Sequence, residues 1–185
     1  MRKLIIFLFA TTACGAPLPS FDVHASSKTT LPHQSCPTCA LGAALPALSG
    51  PFGALGNFDL SQTQDFKNQG VPKDHITSVK LSALTLTASP TDGACSPADF
   101  SFLSGLEFHV AMSDGSQDQR LAHIEGANGA ALSGTSLGLQ VDDVELAPYV
   151  KSDTMKITTK ATGHPPEHCD TDITGALTFH VKAHL

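Results

Sequence analysis

The chain has 185 residues, of which 17 are acidic and 11 are basic, so its formal net charge at neutral pH is −6. Hydrophobic residues make up 41% of the sequence, which is enough to build one sizeable core. Because the basic residues are scattered rather than gathered into a patch, the composition argues against a nucleic-acid partner.

The first 13 residues have the pattern of an export signal. Arg2 and Lys3 precede a short apolar run from Leu4 to Ala10. A helix that spans a bilayer needs about 20 apolar residues, so this run is too short to be a membrane anchor. We therefore expect residues 1–13 to be a signal peptide that is removed after export.

Small residues in front of Cys14 indicate lipidation. The stretch Thr11-Thr12-Ala13-Cys14 resembles a bacterial lipoprotein box, in which small residues precede the cysteine that receives the lipid. It departs from that pattern at Thr11, where an aliphatic residue is usual. The alternative is an ordinary secretory signal that is cut after Ala13 or Ala16.

Cysteine parity favours the lipoprotein interpretation. An odd number of cysteines is awkward in an oxidising compartment, but lipidation of Cys14 would leave four that can pair completely. Those four are Cys36, Cys39, Cys95 and Cys169. We predict one disulfide between Cys36 and Cys39 and one between Cys95 and Cys169. The expected location is the bacterial cell envelope, with the N-terminal lipid in the membrane and the protein facing the periplasm or the cell surface.

The sequence after the signal predicts a tether over residues 14–20 and a single domain over residues 21–185. Alternating apolar and polar residues predict a first strand from Phe21 to about Thr30. Residues 31–57 are rich in Pro, Gly and Ala, which excludes a long helix or a central strand. The Leu and Phe residues within this segment indicate that it covers the body of the domain.

A short helix is predicted over residues 59–69. Asp59 or Ser61 would cap its start, and Gly70 fits a left-handed residue just after its end. The next segment, Ile76 to Ser89, is the clearest strand of the chain, and its alternation changes phase between Ser82 and Leu84. Such a change predicts either a β-bulge or a strand that passes from one sheet to another.

Further strands are predicted downstream of this segment by the same alternation. They cover residues 100–112, 121–124, 137–141, 154–162 and 173–184. About seven short strands with one short helix predict a mainly β fold, an antiparallel β-sandwich of immunoglobulin-like or similar topology.

Four sequence phrases carry a family resemblance. These are VKLSALTLTASP, DFSFLSGLEFHV, VDDVELAPYV and TDITGALTFHVKA. Over residues 76–184 the chain resembles uncharacterised small bacterial exported proteins and lipoproteins with a sandwich fold. The resemblance implies fold and location, and it carries no functional residue to this chain.

The most specific local motif is Cys36-Pro37-Thr38-Cys39. A redox-active pair of this spacing lies at the start of a helix, whereas Pro and Gly surround this one, so a structural disulfide is expected. A metal site is the alternative. Its candidate ligands are His33, Cys36 and Cys39, together with His164 and His168.

Other polar residues are expected to be ordinary surface groups. His109, His180 and His184 occupy outward strand positions and are predicted to be solvated. Asp142-Asp143 and the pair Asp170 and Asp172 match no calcium loop. No nucleophile elbow, phosphate loop or zinc-protease motif is present.

The sequence therefore predicts a non-enzymatic structural or binding role without a cofactor. The expected partner is a protein or a small ligand. A periplasmic metal-binding role is the alternative.

Overall fold

The computed structural model describes residues 20–34, 43–92, 98–152 and 155–184. These residues form two antiparallel sheets around one hydrophobic core. The first sheet has the order β1-β9-β3-β6, with strands β1 (Phe21–Leu31), β9 (Thr171–Ala183), β3 (Ile76–Pro90) and β6 (Ser136–Gly138). The second has the order β2-β8-β4-β5-β7, with strands β2 (Gly50–Pro51), β8 (Met155–Gly163), β4 (Leu103–Met112), β5 (Gln119–Glu125) and β7 (Gln140–Val141). The predicted antiparallel β-sandwich is confirmed.

Helical structure in the described part is limited to short segments. Two are α-helical, α1 (Gln64–Gln69) and α2 (Ala147–Lys151). Five are short 3-10 segments at Pro46–Leu48, Gly53–Asn57, Leu60–Gln62, Lys73–His75 and Ala127–Gly129, and Asn128 in the last of them has a left-handed backbone with φ 55°. Among these residues no helix has the length and apolar character that crossing a membrane requires.

The phase change in β3 is a β-bulge. The pairing between β3 and β9 shifts register between Leu81 and Ala83. Leu81 and Leu84 are both buried, whereas Ser82 and Ala83 between them are both exposed. Since β3 pairs with β9 on both sides of the shift, the strand stays in one sheet. Of the two predicted explanations, the bulge is therefore confirmed.

The predicted helix over residues 59–69 is wrong at its start. Asp59 accepts a hydrogen bond from the Ser61 N–H at 3.0 Å and so closes a separate 3-10 turn. Thr63 is extended, and its side chain accepts from the Phe66 N–H as the cap of α1. Gly70 ends the helix with φ 63°, as predicted.

The described part of the Pro/Gly/Ala-rich segment packs onto the core, as predicted. Leu45, Leu48, Phe52 and Leu55 are all buried. The backbone of this segment runs along the edge of β8 that faces away from β4. There β2 pairs with β8, and the Leu45 N–H donates to the Ala161 carbonyl at 2.9 Å. The segment therefore covers an edge that would otherwise be open to pairing with another chain.

Several features differ from the sequence prediction. The single strand predicted over residues 137–141 is wrong, because β6 belongs to the first sheet and β7 to the second, so the chain passes between the sheets there. β4 begins at Leu103 rather than at residue 100, because the Asp99 carboxylate accepts from the Ser101 N–H and holds a turn there. β5 is longer than predicted. Helix α2 was not predicted, and it is stabilised by Tyr149, whose buried hydroxyl donates to the Gln117 carbonyl at 2.7 Å.

Candidate binding site on the outer face of the five-stranded sheet

Three neighbouring strands, β8, β4 and β5, place their outward side chains in rows across the second sheet. Each row takes one residue from each strand, in that order. The rows are Thr158–His109–Arg120, Lys160–Glu107–His123 and Thr162–Gly105–Glu125. Residues far apart in the sequence thus meet on one face.

A bulge in β5 brings Arg120 onto this face. The pairing between β4 and β5 shifts register between Phe108 and His109, so that Phe108 lies opposite Ala122 while His109 lies opposite Arg120. The residue skipped by the shift, Leu121, is fully buried, as is Ala122. The extra inward residue is what turns Arg120 outward beside His109.

His109 is held between two carboxylates. Its Nδ1 atom lies 3.0 Å from Asp118 and its Nε2 atom lies 3.1 Å from Glu107. The side chain is only 11% exposed. The hydrogen bond with His109 lowers the pKa of the Glu107 carboxyl below its usual value. The prediction that His109 is an ordinary solvated histidine is therefore wrong, because neighbouring strands enclose its ring.

Asp142 contacts the two outward side chains Arg120 and His123 of β5. It accepts from Arg120 Nε at 2.8 Å and Nη2 at 3.4 Å, and His123 Nδ1 lies 3.3 Å from it. The hydrogen bonds from Arg120 lower the pKa of the Asp142 carboxyl. Its oxygens thus link the two outward side chains Arg120 and His123 of β5. The neighbouring Asp143 binds Lys80 instead.

A cleft of about 470 Å³ lies over this face. Gly105 is part of its floor, and the Thr162 hydroxyl lies 2.8 Å from the position that a Cβ atom of residue 105 would take. Ala44 and Ser49, from the segment that follows the edge of β8, form one wall. The ionisable residues that line the cleft are Glu107, Arg120, His123, Glu125 and Lys160. The cleft is therefore lined by both acidic and basic side chains.

Two of these charged groups are available to a ligand. The Glu125 side chain makes no hydrogen bond or ion pair with any residue that the structure describes. Lys160 is 59% exposed, and its contacts are long, at 3.5 Å to His109 Nδ1 and 3.8 Å to Asp118. The remaining groups are held within the protein, because Glu107 contacts His109 and Arg120, while Arg120 and His123 contact Asp142.

The cysteines predicted to be lipidated or bridged lie mostly outside the described residues. This holds for Cys14, Cys36, Cys39 and Cys95. Cys169 is disulfide-bonded, and its partner lies outside the described residues. The backbone next to it is close to the loop that leads to Cys95, because the Thr91 N–H donates to the Asp170 carbonyl at 3.0 Å.

The histidines predicted as alternative metal ligands lie near this disulfide. His33 is bonded to Asp170, with 2.6 Å between its Nδ1 atom and a carboxylate oxygen. His164 contacts the Pro165 carbonyl, and together with His168 it lines a second cleft of about 270 Å³. Nowhere in the described ranges do three or more Cys, His, Asp or Glu side chains converge as metal ligands.

His180 and His184, the other two histidines that were predicted to be solvated, do not lie on the same sheet face as His109. His180 is on β9 of the other sheet, paired with Asp22 at 2.8 Å, and His184 follows the end of that strand. The ring of His24 contacts a hydroxyl group, with 3.4 Å between its Nδ1 atom and Thr178 Oγ1. No carboxylate contacts that ring among the described residues, so this contact lacks the third member of a catalytic triad.

Comparison with known proteins shows no family for this chain. No family model matches the chain, and no curated protein does. One similar solved structure is the 60-mer BFDV capsid protein, with a TM-score of 0.38 and 12% identity over 92% of this chain and 94% of that one. Another is the Desmodium yellow mottle tymovirus, with a TM-score of 0.27 and 14% identity over 100% of this chain and 94% of that one. Neither TM-score is high enough to carry an argument.

The residues of the cleft were missed by sequence reasoning. Alternation correctly placed His109 on the outward face of its strand. It did not indicate that β5 and β8 flank that strand. The one local signal was Gly105 inside an otherwise regular strand, since such a glycine often marks a close approach to the backbone.

Proposed function

We propose that this chain is an exported, lipid-anchored β-sandwich protein of the bacterial cell envelope, and that it binds a small polar ligand without catalysing a reaction. The cleft over Gly105 is the observation that carries the binding role. Groups of both signs of charge line this cleft, and Glu125 has no partner among the described residues, which is the kind of polar lining that orients a polar ligand.

Export is supported by two independent features. The first is the lipoprotein-like stretch that ends at Cys14. The second is the disulfide at Cys169, because disulfides persist in oxidising compartments and are rare in the cytosol. A non-enzymatic role is supported by the engagement of His109 and His123 with carboxylates rather than with a nucleophile.

Metabolic labelling with a clickable fatty acid tests the anchor. The wild-type protein is expected to incorporate the label, and the Cys14→Ser variant is expected to lose it. The Cys169→Ser variant serves as the matched control, because it removes a cysteine that does not receive lipid. Absence of label, or label that survives Cys14→Ser, would remove the anchor from the proposal.

An NMR titration tests the binding role. The amides of ¹⁵N-labelled protein are followed while amino acids, short peptides and monosaccharides are added one class at a time. Binding in the cleft is expected to shift the resonances of Gly105, His123 and Glu125. If no class moves these resonances, or if shifts appear only around His164 and His168, the proposed use of the cleft fails.

A further inference from the structure

We infer that His109 is a proton-dependent latch for the turn between β4 and β5, which covers residues 113–118. With a proton on each ring nitrogen, His109 holds Asp118 of that turn and Glu107 of β4 together, and loss of the Nδ1 proton releases Asp118. The latch consists of these three side chains. It is a conformational device and requires no ligand in the cleft.

Both ring nitrogens of His109 face carboxylates. Nδ1 lies 3.0 Å from Asp118 Oδ1, and Nε2 lies 3.1 Å from Glu107 Oε2. An ionised carboxylate only accepts hydrogen bonds and a neutral imidazole has one N–H group, so a neutral ring turns a lone pair toward one of the carboxylates. Both contacts are therefore hydrogen bonds only when the ring carries both protons. Histidine is the side chain that gains and loses its charge around neutral pH.

The surroundings of the ring decide which proton leaves. Lys160 of β8 lies 3.5 Å from His109 Nδ1 and 3.8 Å from Asp118, so its ammonium group can donate to Nδ1 once that nitrogen is unprotonated. Arg120 of β5 lies 3.6 Å from Glu107 and holds this carboxylate in place beside Nε2. The neutral ring therefore keeps its proton on Nε2 and accepts from Lys160 at Nδ1. Asp118 then loses its contact with the ring.

The turn has an unfavourable backbone conformation directly before Asp118. Gln117 has φ 56°, in the left-handed region that residues other than glycine seldom adopt. Such a conformation persists only where the surroundings impose it. Here the Tyr149 hydroxyl of α2 donates to the Gln117 carbonyl at 2.7 Å, and His109 holds the next residue. Burial and the Asp118 charge raise the pKa of Tyr149, so its hydroxyl remains a donor while the histidine titrates. Release of Asp118 thus removes one of two restraints, and the turn can relax.

A pH titration of the full-length protein by NMR tests the latch. Long-range ¹H–¹⁵N correlations of the His109 ring show which nitrogen carries a proton. Both are expected to be protonated at about pH 5, and Nε2 alone at about pH 9. Over the same interval the backbone order parameter of Gln117 is expected to fall from about 0.85 to below about 0.6. A ring with one tautomer at both pH values, or a Gln117 order parameter that does not follow the ring, would overturn the latch.

Two variants separate the contact with Asp118 from the contact with Glu107. The side-chain nitrogen of asparagine can take the place of Nδ1, and that of glutamine can take the place of Nε2. His109→Asn keeps a donor for Asp118, so the turn is expected to stay ordered at both pH values. His109→Gln keeps a donor for Glu107 alone, so the turn is expected to be mobile at both. The matched control is His180→Asn on the other sheet, which removes a histidine that pairs with one carboxylate and is expected to leave the Gln117 response unchanged.

A third variant covers the case in which a change at His109 prevents folding. Asp118→Asn keeps the size of the side chain and removes the charge that strengthens its hydrogen bond with the protonated ring. The order of Gln117 is then expected to lose most of its dependence on pH. A turn that follows pH in this variant as it does in the wild type would show that another group controls it. Since no ligand is added, failure of the latch leaves the proposed binding role standing, and failure of the binding titration leaves the latch standing.

Discussion

Replacing Gly175 with alanine is expected to destabilise the protein, because a buried phenylalanine ring occupies the space of the missing side chain. Gly175 lies in β9, an interior strand of the first sheet. A Cβ atom there would lie 2.9 Å from Phe52 Cε1 and 3.4 Å from Leu86 Cδ2. The ring cannot easily retreat, since it is 1% exposed and packs edge-on against Phe108 with 5.2 Å between centroids.

The size of the effect follows from this overpacking. One extra methyl group in a close-packed core costs about 1 to 3 kcal/mol of unfolding free energy. For a domain of this length that corresponds to a decrease in melting temperature of about 2 to 12 °C. The Gly138→Ala variant is the matched control, because a Cβ atom at that strand position has no neighbour within 4 Å among the described residues.

A double-mutant cycle with Phe52→Ala tests the cause. Phe52→Ala alone is expected to cost about 3 to 5 kcal/mol, because it leaves a cavity in the core. In that background the Gly175→Ala methyl group enters the vacated space, so its own cost should fall to about zero or reverse, with a coupling of about 1 to 3 kcal/mol. Urea unfolding measures all four variants. Additive effects would refute the claim that Phe52 is what requires glycine at position 175.

Three further predictions concern charge, covalent links and metal. Because the folded-state pKa values of Glu107 and Asp142 are lowered, their stabilising contribution is present above the ordinary values of 4.5 and 3.8 and is lost as the pH falls through the folded-state values. Urea unfolding between pH 6 and about 3 should show this loss, and Glu107→Gln should flatten it. Non-reducing peptide mapping is expected to link Cys95 with Cys169, and a link from Cys169 to any other cysteine would contradict this. Elemental analysis of untagged protein is expected to find no stoichiometric zinc or copper, whereas one equivalent would support the metal-binding alternative at His33.

The sandwich was predictable because its signals are local. Alternation marks which side chains of a strand face the core, and this is how the strand from Ile76 and the change of phase near Ser82 could be predicted. That the change is a bulge rather than a crossing between sheets was decided by the pairing with β9. The burial of Phe52 in the Pro/Gly/Ala-rich segment was predictable for a similar reason, since large apolar side chains rarely stay in solvent. In each case one stretch of chain contains all the information.

The charged face was not predictable, because it depends on which strands are neighbours. Glu107 and Lys160 are 53 positions apart in the sequence and lie opposite each other only because β8 pairs with β4. Arg120 joins them only because Leu121 forms a bulge. Charge patterns along a single strand contain neither fact. The outward histidine at position 109 therefore looked like a solvated residue until its neighbours were known.

Two glycines show how the same local sequence pattern arises on the inner and on the outer face of the sandwich. Gly105 and Gly175 each stand inside a regular strand, where glycine is unfavourable and calls for a reason. Gly175 faces the core, where the Phe52 ring lies 2.9 Å from the position that a Cβ atom would take. Gly105 faces outward, where the Thr162 hydroxyl lies 2.8 Å from the equivalent position. In both cases a side chain of a neighbouring segment fills the space. A glycine inside a strand therefore indicates a close approach, but the sequence alone does not show which residue makes it.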